Sequence, residues 1–140
     1  MMNKNLIFSN NELGINIYSI DKNAKIIEAN NNFYAINSKA SLIKLLVLFE
    51  LPLDRINSCI IDSSYSIGEI LPLSELVCFL VTDMRSTYWI ELVFSFLLND
   101  DVTIRLNADG INCLENKDLI NWLPQNVFHL VKKVINKSLR

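Results

Sequence analysis

The segment Gly14-Ile15-Asn16-Ile17-Tyr18-Ser19-Ile20-Asp21-Lys22-Asn23-Ala24-Lys25-Ile26-Ile27-Glu28-Ala29-Asn30 carries two incompatible periods. As a helix capped by Asn10 or Asn11, with Glu12 in its first turn, it puts Leu13, Ile17, Ile20, Ala24 and Ile27 on one face. As strands, Gly14 to Ile20 and Lys25 to Ala29 form a hairpin turning at Asp21-Lys22-Asn23. The helix is the leading expectation, and the fold follows from that choice.

Upstream, Leu6-Ile7-Phe8 reads as a strand running into Asn10-Asn11. Downstream, Asn30-Asn31-Asn32 punctuates the chain and Phe33-Tyr34-Ala35-Ile36 reads as a short buried strand. Ser38 is an N-cap for a helix over Ala40 to Phe49, which Pro52 ends. Ile56 to Ile61 and the unalternated run Val77 to Val81 read as strands, the latter suited to a parallel sheet buried on both faces. Ser86 or Thr87 starts a helix through Leu98, and Val102 to Leu106 is the last strand. Pro124 opens a closing helix with Val127, Leu130, Val131 and Val134 inside and His129, Lys132, Lys133 and Asn136 outside. The expected fold is therefore α/β, a (βα)5 doubly wound five-stranded parallel sheet. The hairpin reading gives the alternative, α+β with an N-terminal hairpin.

The chain has 140 residues, a length that suits one domain over residues 1–140. A net charge of −2 argues against direct binding of nucleic acid by this chain. Cys59, Cys78 and Cys113 are odd in number and widely spaced, and His129 is far from all three. Their spacing predicts no zinc site and buried, unpaired thiols in a reducing compartment. The polar start suggests no signal peptide, and Leu42 to Leu51 is too short and too charged to span a bilayer. A cytoplasmic chain without a membrane association is expected. Gly14, Gly68 and Gly110 are scattered, so no phosphate loop is built from them. No nucleophile and base share a motif with His129. We expect no enzyme, no metal and no cofactor.

The carboxyl ends of the expected strands are Asn10-Asn11, Asp62, Thr82 and Asn107, where doubly wound sheets place their chemistry. This set resembles the receiver domain of response regulators. Ile60-Ile61-Asp62 matches the phosphoacceptor strand and Phe79-Leu80-Val81-Thr82 the strand ending in Thr or Ser. The departures are Asn10 and Asn11 for an acidic pair that holds Mg²⁺, and Asn107 for a lysine. Phosphoryl transfer needs those charges, so Asp62 is a vestigial acceptor in this resemblance. The chain is similar to the atypical receivers of LuxR-type transcription regulators. That similarity implies a regulatory pseudo-receiver acting through dimerisation or a partner regulator.

The helix Ser86 to Leu98 has more apolar surface than one sheet can cover. Ile90, Val93, Phe94 and Leu97 form one stripe and Trp89, Leu92 and Phe96 a second. The second stripe is expected at a protein interface. Two other classes fit the size and acidity. One is a small bacterial immunity protein or secretion chaperone that binds a toxin or effector. The other is a PAS-like sensor, whose opening hairpin Tyr18-Ser19-Ile20-Asp21 with Lys25 to Asn30 resembles.

Overall fold

The computed structural model describes residues 4–21 and 24–139. The chain falls into two compact units, Met1–Pro72 and Leu73–Arg140. The first unit opens with four strands, β1 (Asn5–Asn10), β2 (Ile15–Ser19), β3 (Lys25–Ala29) and β4 (Asn32–Ala35). They form one antiparallel sheet in the order β1-β2-β3-β4. Helix α1 (Lys39–Leu46), a 3-10 turn (Val47–Glu50), α2 (Leu53–Ser58) and α3 (Ile67–Ile70) follow.

This overturns the five-stranded parallel sheet. The arrangement is α+β, and it opens with the hairpin that was the second of the two readings. Ile15, Ile17, Ile27 and Ala29 are buried, while Asn16, Tyr18, Ile26 and Glu28 are half-buried on the opposite face. That is a period of two, as a sheet with one covered face requires. Ile17 and Ile27 satisfy the helical pattern as well, which is why spacing alone misleads. The long run of β-branched isoleucines favours the strand. Of the expected turn, Asp21 accepts the Ala24 N–H at 2.9 Å, and Lys22 and Asn23 lie outside the described residues.

Two turns set the register. Asn10 pairs with Ile15, and the loop between them ends at Gly14 with φ +67°. The Asn10 side-chain oxygen accepts the Leu13 N–H across that loop at 2.8 Å. Between β3 and β4 stand Asn30 (φ 54°) and Asn31 (φ 65°). Two consecutive residues at positive φ make the tight turn that matches strand twist, and asparagine tolerates that region. β4 is the exposed edge of the sheet, not a buried strand as expected. Helix α1 starts as read: the Ser38 hydroxyl accepts the Ser41 N–H.

Ile56 to Ile61 is a second correction. It is the end of helix α2 (through Ser58) followed by a single antiparallel bridge from Ile60 to Phe8. Pro52 supplies the fixed φ just before that helix.

The second unit is helical: α4 (Leu73–Phe79), a π turn (Leu80–Met84), α5 (Thr87–Leu97), α6 (Ala108–Glu115), α7 (Lys117–Ile120) and α8 (Gln125–Ser138). Val77 to Val81 therefore lies in a helix and its π-turn continuation, which is the third correction. Leu73, Leu76, Val77, Phe79, Leu80 and Val81 are all buried, and a helix covered on all but the narrow stripe of Glu75, Cys78 and Thr82 shows little apolar period over five residues. Val102 to Leu106 is the fourth. Val102, Ile104 and Leu106 are buried in alternation, but among the described residues no strand pairs with them. Leu106 N–H donates instead to Ser138 Oγ at 2.8 Å. The closing helix starts after Pro124 as expected, with Val127, Val131 and Val134 buried and Leu130 half-buried.

The cysteines differ from expectation. Cys78 of α4 and Cys113 of α6 form a disulfide with Cα atoms 5.6 Å apart, and none of the three cysteines is fully buried. One turn away, Asn107 N–H donates to Ser74 Oγ at 2.9 Å, and Gly110 lies against Ser74. A bond spanning 35 residues of chain restricts the unfolded state by about 3–4 kcal/mol. Reduction, or Cys78→Ser with Cys113→Ser, should lower the unfolding free energy in urea by about that amount. An unchanged midpoint would show that the bond does not form.

Candidate protein-binding face

The register puts Leu6, Tyr18, Ile26 and Ala35 in one row across all four strands. Side chains two apart in a strand share a face, so Asn16, Glu28 and Phe33 lie on that same outer face. Half of it is polar: Ser9 Oγ donates to Asn16 Oδ1 at 2.6 Å, and Asn16 Nδ2 to Glu28 Oε1 at 3.1 Å. The other half is aromatic. Phe33 is 48% exposed, with its ring centroid 6.2 Å from that of Tyr18. The Lys4 ammonium stands 4.1 Å from the Phe33 centroid and 4.9 Å from that of Tyr18. A groove of about 340 Å³ lined by Lys4, Ile26, Phe33, Tyr34 and Ala35 runs along this side of the sheet. An exposed phenylalanine beside a cation presents apolar area that can be covered at modest desolvation cost.

The two edges of the sheet are treated differently. β1 is closed by the segment after α2. Ser9 N–H donates to Cys59 O at 2.9 Å, and Ile61 N–H to Ile7 O at 2.8 Å. A bulge at Ile7 lets Ile7 and Phe8 both be buried. Among the described residues none covers β4 in this way along its middle. Its Ala35 carbonyl accepts from Ser38 N–H and Ser41 Oγ, at the entry to α1.

The residues singled out from sequence do not gather. Asn10 is 7% exposed at the end of β1, with Nδ2 3.4 Å from Cys59 Sγ. Asn11 is exposed in the turn that follows. The segment from Cys59 to Asp62 runs antiparallel to β1, so Asp62 reaches the Ile7 carbonyl, about 10 Å back from Asn10. In a parallel sheet both would share one end. Thr82 lies in the π turn, its hydroxyl 2.7 Å from the Cys78 carbonyl four residues back. Asn107 caps α6, accepting Gly110 N–H at 2.9 Å. None of the three follows a parallel strand.

On α5, Ser86 caps the N-terminus as read, Phe96 is buried, and Trp89 and Leu92 are half-buried. Tyr88 is an exposed aromatic there, 53% open and stacked edge-on to Trp89 at 5.0 Å. A second groove, of about 260 Å³, is polar and includes Asn10, Glu12, Arg55 and Cys59. Its Arg55 binds both Glu12 carboxylate oxygens at 3.0 Å. Among the described residues no three His, Cys, Asp or Glu side chains converge as metal ligands, and no helix is long and apolar enough to cross a membrane.

Lys4, Tyr18, Ile26 and Phe33 escaped the sequence reading because the helical choice scattered them. The Asn30-Asn31 pair between two isoleucine- and aromatic-rich runs was the signal that would have found them. No family model, curated protein or solved structure matches the chain.

Asp62 keeps one local role. Ser64 hydroxyl donates to its carboxylate at 2.6 Å and Ser64 N–H at 3.0 Å, which hold its pKa below the ordinary aspartate value, the hydroxyl most. A carboxylate depressed on folding contributes stability above its unfolded pKa and loses it as pH falls through the folded one. Ser64→Ala should therefore raise the Asp62 midpoint toward the ordinary value in a carboxyl ¹³C titration. An unmoved midpoint would assign the depression elsewhere.

Proposed function

We propose that this chain is a non-catalytic protein-binding domain that engages its partner through the aromatic outer face of the N-terminal sheet. The observation that carries this is Phe33, a large ring left in the open with a lysine over it. Phe33 does not stand alone, since Tyr18 beside it and Ile26 share its face, and a contiguous apolar patch marks an interaction site where a single ring would not. The adjacent groove offers a place for a partner side chain. The receiver resemblance lends no support, since Asp62, Thr82 and Asn107 do not follow parallel strands. Binding a toxin or effector, or a regulator, remains within the proposal. The bonded Cys78 and Cys113 support an oxidising compartment over the cytoplasm, where glutathione keeps thiols reduced.

Binding and folding separate at Phe33. A photo-crosslinking residue at position 33, in the native cell, should trap one discrete partner. The same residue at exposed position 136 should not. Phe33→Ser should abolish partner binding while changing the unfolding free energy by about 1 kcal/mol or less. Equal crosslinking from both positions, or a partner that still binds Phe33→Ser, would remove the face from consideration.

The Tyr88–Trp89 pair supports a second surface, on α5. If it is an interface between copies, Trp89→Asp dissociates an oligomer seen in light scattering. An oligomer that survives excludes that surface.

A further inference from the structure

The inference here rests on the proposed binding face and names the chemistry of what it binds. The Asn30-Asn31 turn makes Ala29 and Asn32 the hydrogen-bonded closing pair of the hairpin. Pairs then alternate, so Ile27 and Tyr34 exchange bonds and Ile36 N–H donates to Lys25 O at 3.2 Å. The intervening residues, Phe33 and Ala35, turn their backbone groups away from β3. The Ala35 carbonyl confirms this parity, since its partners are Ser38 N–H and Ser41 Oγ at 2.6 Å. That leaves Phe33 N–H, Phe33 C=O and Ala35 N–H directed along the open edge, three groups in the pattern of an unfilled ladder.

The charge around that edge is positive. Lys4 sits over Phe33 on the outer face, and the Lys44 ammonium lies 5.5 Å from the Tyr34 centroid on the other. The nearby carboxylate, Glu28, is one strand inward and already accepts from Asn16. A second copy of this chain would set these lysines against their own counterparts, which disfavours edge-to-edge self-pairing. We infer that the β4 edge adds an extended acidic peptide segment as a fifth strand, its backbone on Phe33 and Ala35 and its carboxylates beside Lys4 and Lys44.

The probe is the seven-residue peptide Val-Asp-Asp-Val-Asp-Asp-Val, whose adjacent aspartates face both sides of a strand, blocked at both ends, against its Lys/Val counterpart. Amide shifts are followed in a ¹⁵N-labelled full chain. The acidic peptide should move Phe33 and Ala35 amides and slow their exchange with solvent, and 0.5 M salt should weaken it. The basic peptide should leave them in place. Lys4→Glu with Lys44→Glu should weaken the acidic peptide by about tenfold and favour the basic one. Amide dispersion of that variant checks that it folds. Equal response to both peptides, shifts confined to residues outside β4, or a dimer that protects the same amides would each overturn the inference. If crosslinking at position 33 still traps a partner while Phe33 and Ala35 amides stay unprotected, strand addition fails and the face stands. If both fail, the face itself is wrong.

Discussion

The two-residue turn at Asn30-Asn31 decides which way the sheet faces. With both residues at positive φ, Ala29 is held opposite Asn32, and every later pair follows. Side chains alternate with a period of two, so a slip of one residue would bury Phe33 and expose Tyr34. The same parity sets which backbone groups of β4 meet β3 and which meet solvent. An exposed ring on one face and an open ladder on the edge are thus consequences of a single turn. Ile15, Ile17, Ile27 and Ala29 reinforce it by being buried on the inner face.

The helical unit rests on a different constraint, close approach. Gly110 of α6 lies so near α4 that a Cβ there would come 3.1 Å from Ser74 Cβ. Asn107 fixes the entry to α6 twice, by its own N–H to Ser74 and by its side chain to Gly110 N–H. Small residues at the crossing bring Cys78 and Cys113 within bonding reach one turn later. The disulfide is therefore seated on a contact that packing already makes. Farther along, Trp122 Nε1 donates to Val81 O at 3.0 Å, satisfying a carbonyl near the π turn where regular bonding changes.

What could be read from sequence were the punctuation marks. Ser38, Ser86 and Pro124 stand where helices start, because a cap acts through groups within one turn of itself. The apolar runs could not be read in this way. Ile56 to Ile61 and Val77 to Val81 are dense enough in apolar residues to serve strand or helix, and only the surroundings decide. Val102 to Leu106 shows the limit from the other side. Its alternation is correct, with Thr103 and Arg105 exposed between buried neighbours, yet alternation specifies an extended chain and not a partner strand. Gly14 to Asn30 failed for a related reason, since Ile17 and Ile27 answer to both periods. The discriminating residues are Asn30 and Asn31, because two consecutive asparagines can take the positive φ of a tight hairpin turn.

The site was less legible than the fold because strand direction, which no residue carries alone, determines which side chains meet. Asp62 and Asn10 would share an end in a parallel sheet. Running antiparallel, they are separated along β1, and the carboxylate turns to Ser64 instead. The same reversal covers the outer edge of β1 with Cys59 to Asp62 and leaves β4 open at the opposite side. Sheets normally blunt an open edge with charge, proline or a bulge on the strand itself. β4 carries none of these, only Asn32, Phe33, Tyr34 and Ala35, with the lysines set beside it on β1's flank and on α1. Positive charge in that position repels an identical edge and attracts an acidic one. In the proposed strand addition, protection against self-pairing and selectivity for an acidic segment are the same electrostatic feature.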